Sequence, residues 1–180
     1  MNTPAPPPAP LESSDPQRAR VLKTKTLERI SDVSRHLTAL RVAMGEFGEN
    51  FDLEPFQSAY NSQDPVELNR VKAVERGVDL LYNYIADLSA FGLELAELRG
   101  RRDETNVRRD LDALRDAGVL TREQTRRLQR LRELRRLLVH EYATATAEQI
   151  HESAQLLVVE LPAFSNAYRD WIRRGFMQTR

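Results

Sequence analysis

Cysteine is absent from the 180 residues. That excludes a disulfide framework, thiol catalysis and a thiolate metal site. Histidine occurs three times, at positions 36, 140 and 151, too dispersed to suggest a metal site. No metal and no cofactor is expected. Glycine numbers seven and forms no phosphate-cradling loop, so the chain does not resemble a nucleotide-hydrolysing or dinucleotide-binding enzyme. The longest apolar runs fall far short of the roughly 20 residues a bilayer demands. The N-terminus lacks the basic-then-apolar order of a secretory signal. A soluble cytoplasmic protein with no membrane partner is the default. Net charge is missing too, because 27 Lys and Arg balance 27 Asp and Glu. Any nucleic-acid role must therefore rest on a local patch.

What is abundant is Arg, Leu, Ala and Glu, which favours helix over sheet. The length suits one domain with a tail. Residues 1–16 carry prolines at 4, 6, 7, 8 and 10 and read as a disordered, proline-rich tail. Residues 17–180 read as a single helical domain. Val21, Leu27, Ile30, Val33, Leu37 and Leu40 predict a first helix from about Gln17 to Met44, ended by Gly45 and Gly48. A short helical turn at 52–60 turns Phe51, Leu53 and Phe56 inward. Asp64, Pro65 and Glu67 announce a second long helix reaching about Leu98, with Asp64 as N-cap. Its stripe is Leu68, Val71, Val74, Val78, Leu81, Ile85, Leu88, Phe91 and Leu95.

A third helix is predicted over 105–116, closed by Ala117-Gly118. Thr121 with Glu123 starts a fourth. Thr146 with Gln149 forms a capping box for a fifth, in which Pro162 should cause a kink or a split. No strand-like alternation survives. The fold class is all-α, a helical bundle with an N-terminal helical elaboration.

The chemistry concentrates on the fourth helix. Arg122, Arg126, Arg127, Arg130, Arg132, Arg135 and Arg136 face only Glu123 and Glu133 in that segment. One reading is a solvated face whose arginines pair with acids on neighbouring helices. The other is an RNA-binding surface that tracks phosphates, with Arg127, Arg130 and Arg132 as contacts. Tyr142 and Tyr82 or Tyr84 could add stacking surfaces, and Glu75, Asp79 or Asp87 could meet the site across the bundle.

The basic run leads to Arg135-Arg136-Leu137-Leu138-Val139-His140-Glu141-Tyr142. An imidazole exchanges protons near neutral pH, and a guanidinium holds a phosphate. Those are the requirements of metal-free RNA cleavage. Five residues of ideal helix leave Arg135 and His140 about 140° apart, whereas Arg132, Arg136 and His140 share a face. Either the helix is irregular there, or Arg135 reaches around it, or two copies meet across a dimer.

The segment from about Glu67 to Trp171 resembles a HEPN domain of the HepT-like ribonuclease toxins, with a HEPN-like core over about 65–175. The family motif is arginine, a polar residue (usually asparagine), three further residues, histidine, any residue, tyrosine. Val74-Glu75-Arg76 opening a long helix and the step Leu111 to Leu120 before the motif helix add to the likeness. Arg136 stands at the usual asparagine position.

The resemblance implies the toxin of a type VII-like HEPN/MNT toxin–antitoxin pair. It would be a homodimeric endoribonuclease that needs no metal, acting on an RNA substrate. His140 would be the general acid/base and Arg135 the transition-state stabiliser, with Arg136 and Glu141 beside them. Tyr142 would be AMPylated by a cognate minimal nucleotidyltransferase antitoxin. Two other readings stay open. One is a non-catalytic HEPN-like module that binds RNA or nucleotide, and the other a structural partner of a nucleotidyltransferase.

Overall fold

The computed structural model describes residues 16–95, 107–140 and 145–177, with side chains at 109–131 and 145–174 in the last two stretches. Six α-helices follow one another: α1 Pro16–Gly45, α2 Leu53–Tyr60, α3 Pro65–Leu95, α4 Val107–Asp116, α5 Arg122–His140 and α6 Ala147–Met177. No strand occurs among the described residues. The predicted tail lies outside them, except that Pro16 opens α1 and so belongs to the helix.

Local chemistry sets the helix ends. Asp64 caps α3, its carboxylate accepting from the Val66 N–H at 2.8 Å. Glu67 does not complete a box, because the Ser62 hydroxyl already accepts the Asp64 N–H at 3.0 Å. Glu67 binds Arg70 instead, at 2.8 Å. Gly118, at φ 75°, closes α4. The Val119 N–H returns to the Leu114 carbonyl at 2.9 Å and that of Gly118 to Arg115 at 2.9 Å. This is the paired C-terminal closure that a left-handed glycine permits.

The box that starts α5 pairs Thr121 with Gln124, not with Glu123. The Gln124 N–H donates to the Thr121 hydroxyl at 3.1 Å, and the Thr121 N–H to the Gln124 side chain at 2.9 Å. The reciprocal geometry needs the third residue after the cap, and Glu123 is the second. Thr146 and Gln149 make the expected box at the start of α6. That helix is not split at Pro162 and runs from Ala147 to Met177. Leu157, Leu161, Phe164 and Tyr168 are buried on both sides of the proline, and this packing outweighs the one backbone bond it removes.

Three long helices form the body. α1 lies antiparallel to α3, as the pairs show in order: Arg18 with Glu94, Arg29 with Asp87 at 3.1 Å, His36 against Tyr84, Leu40 against Gly77, Phe47 under Arg70. The buried stripe of α1 is Leu22, Thr26, Ile30, Val33, Leu37, Leu40 and Met44. Val21 and Leu27 are exposed, contrary to the sequence reading. The stripe steps by threes and fours through Leu22 and Thr26, which shifts their neighbours outward. Thr26 tolerates burial because its hydroxyl donates to the Leu22 carbonyl at 2.8 Å.

α6 runs parallel to α3. Tyr168 donates to the Leu88 carbonyl at one end, and His151 meets Phe51, next to Phe47, at the other. Gly92 makes room for Tyr168. A Cβ there would overlap the phenol oxygen and lie 2.8 Å from Leu114 of α4. Phe47 and Phe51, between α1 and α2, cluster edge to face and stacked with Phe56 of α2 and His151 of α6. Phe51 holds φ 55°, costly for a side-chain-bearing residue. The His151 Nε2 donates to its carbonyl at 2.6 Å.

Candidate active site

α5 carries the motif, and its placement follows from its two faces. Thr125, Leu128 and Leu131 are buried on one side. Gln129 of α5 donates to Asp112 of α4 at 3.1 Å. On the α6 side, Arg127 donates to Glu160 at 2.7 Å as well as to Glu123 of its own helix, while Arg130 forks onto Glu152 at 3.1 Å. α5 is therefore antiparallel to α6, and its C-terminal turn points to the pole where α6 begins.

At that pole α2 closes on the chain leaving the motif. The Tyr60 hydroxyl donates to the Ala145 carbonyl at 2.6 Å. Gln57 donates to Glu148 at 2.7 Å. Burial, then the charges of Glu75 and Glu148, raises the Tyr60 phenol above its ordinary value, so it stays a protonated donor. The Glu148 carboxyl is lowered, first by the Thr146 hydroxyl.

Arg132, Arg135, Arg136 and His140 lie on the helical backbone of α5, and their side chains fall outside the described ones. Glu141 and Tyr142 fall outside the described residues altogether. Since α5 is α-helical through His140, irregularity of the helix before His140 does not bring Arg135 and His140 together. By register Arg135 follows Leu131 by four positions and Leu128 by seven. His140 falls near the edge of the exposed arc that holds Arg122 and Arg126.

Tyr82 and Tyr84 are buried, so neither presents a stacking face. Tyr84 packs on His36 with ring centroids 5.5 Å apart and takes the Arg29 guanidinium at 5.2 Å. Asp87 pairs with Arg29. No group of metal-ligating side chains occurs among the described residues, and no described helix is long and apolar enough to cross a membrane. Tyr60 and Gln57 were missed in the sequence. Tyr60 lies 85 positions from its partner, and no local pattern marks it.

An all-α bundle with an arginine–histidine motif in the last turns of a helix packed between two others is a fold of the HEPN type. Residues 46–168 match the family described as ribonuclease HepT-like. The match spans more than half of the chain, and the chain belongs to that family. It begins where α1 ends, so α2 and the aromatic cluster lie within the matched segment while α1 stands before it. No curated protein and no solved structure matches.

Proposed function

We propose that the chain is a metal-independent endoribonuclease, the toxin of a type VII-like HEPN/MNT pair acting on cytoplasmic RNA. One observation carries the reading: the arginine and histidine of the motif close α5, inside the segment matched by a ribonuclease family. His140 would remove the ribose 2′-hydroxyl proton and return one to the leaving 5′-oxygen. Arg135 would stabilise charge on the phosphorane. Arg136 and Glu141 flank them. Tyr142 would accept AMP from a minimal nucleotidyltransferase antitoxin. The added phosphodiester and adenosine would then compete with RNA for Arg135.

The register separation of about 140° between Arg135 and His140 supports a homodimer in which two motifs share one cleft. α1 contributes to the same core as α3 and α6, which supports one domain over 17–180 with α1 as part of it.

The test is cleavage of RNA by purified, unmodified protein in excess chelator. Cleavage should persist and leave 2′,3′-cyclic phosphate ends. His140→Ala should lose on the order of 10²-fold or more. Mixed Arg135→Ala and His140→Ala chains should regain part of the activity if the cleft is shared. A protein that cuts nothing yet binds RNA would favour the second reading, a non-catalytic module. The observation behind that reading is Arg136, which stands where the motif usually carries asparagine.

A further inference from the structure

The structure divides the arginines of α5 into two kinds. Arg127 and Arg130 are engaged by carboxylates of α6. Arg122 and Arg126 are exposed, and among the described residues neither has a hydrogen-bond or ion-pair partner. A phosphate approaching Arg127 must displace Glu160 and Glu123, whereas at Arg122 or Arg126 it meets a guanidinium that no described carboxylate engages.

These two also share the motif's register. His140 follows Arg122 by 18 residues, five turns of helix, which returns it to the same angular position about 27 Å along the axis. It follows Arg126 by 14 residues, about 40° away and about 21 Å along. Gln129, Glu133 and Arg136 occupy the register between. Gln129 is bonded to Asp112 of α4, and Glu133 interrupts the positive run.

We propose that Arg126 and Arg122 form a remote phosphate track on α5, holding the flank of an RNA strand whose scissile phosphate lies at the His140 end. The inference rests on the ribonuclease reading and adds to it where the substrate's flank is held. RNA is favoured over an acidic protein because the two cations are collinear with the motif along the helix axis, which suits a repeating phosphodiester. The contact is independent of sequence. Short substrates do not reach it.

The test uses the full chain carrying His140→Ala, so that RNA is bound and not consumed. Labelled single-stranded RNA of about a dozen nucleotides and a trinucleotide are titrated at 50 and 200 mM salt. The double variant Arg122→Ala/Arg126→Ala is compared with Arg20→Ala/Arg41→Ala, a control of equal charge change on exposed positions of α1. Both α5 side chains are exposed and have no partner among the described residues, so their removal should leave the fold intact.

Two lost contacts at about 0.7 each lower the salt slope by about 1.4, so the affinity drop between the two salt concentrations shrinks about sevenfold for the long RNA. The trinucleotide and the α1 control should show no change. An unchanged slope, an equal effect of the control, or an equal loss on the trinucleotide overturns the track, as does absence of RNA binding. Cleavage of the long RNA by the chain with His140 intact probes the ribonuclease reading separately. Its absence would sink that reading and leave the binding result standing.

Discussion

Tyr60 ties α2 to the stretch of chain that leaves the motif. Its hydroxyl donates to Ala145 at 2.6 Å, three residues beyond Tyr142. Tyr60→Phe keeps the ring and removes the bond, which should cost about 1 kcal/mol. The larger effect should be local. Amide exchange at residues 145–147 should quicken while that of α3 stays unchanged, because the bond anchors a connection and not the core. Equal exchange at 145–147 in both proteins would show that the backbone there is held by other contacts. Nothing near Tyr60 in the sequence points to this partner. Caps were legible because their donors and acceptors lie within three or four residues. Asp64 and Thr146 took their expected places, and the error at Thr121 was one residue. Tyr168 and Gly92 show the opposite case, since a ring entering the space left by a distant glycine has no local signature.

At the scale of helices, the pairing of α5 with α6 decides how the motif is presented. The two bonds differ in burial. Glu160 is 5% exposed, whereas the Glu152 side chain is 42% exposed. Removing Arg127 therefore strands a buried carboxylate, while removing Arg130 strands one that water can solvate. Arg127→Ala should lower the urea midpoint clearly more than Arg130→Ala, and Arg126→Ala should leave it nearly unchanged. Equal midpoints for the first two would mean that burial of Glu160 is relieved on mutation. Arg127 and Arg130 pair with carboxylates of α6, and Arg122 and Arg126 are exposed without a hydrogen bond or ion pair to a described residue. Sequence revealed the arginines and their helix, and it put Arg135 and His140 on the same element. It did not reveal which arginines were engaged, because Glu152 and Glu160 lie 22 and 33 positions away. The exposed Val21 and Leu27 failed for a related reason. Apolar spacing alone admitted two stripes on α1, and contact with α3 and α6 chose the one that buries a threonine.

For the whole molecule, Tyr168 sets an alkaline limit. It is fully buried, and burial raises its phenol well above the ordinary 10.0. The folded state thus keeps a proton that the unfolded chain sheds. Stability from this group is complete below pH about 10 and falls as pH rises above it. Unfolding followed by circular dichroism should show a midpoint steady through mildly alkaline pH and dropping beyond about 10. Tyr168→Phe should flatten that drop while lowering stability at neutral pH, since the donor to Leu88 is gone. A drop of equal steepness in both proteins would assign the alkaline limit to other groups.

The antiparallel run of α1 and the parallel run of α6 have a mechanical consequence. Pro16 and Met177 both lie at the end of the bundle where α3 finishes, and the last turn of α5 lies at the other. Tension applied between these two positions would load the contacts of α1 and α6 one row at a time, opening the bundle like a zipper instead of shearing all rows at once. The same layout means that a surface or fusion partner attached beyond either helix holds the molecule by one pole and leaves the motif pole facing outward.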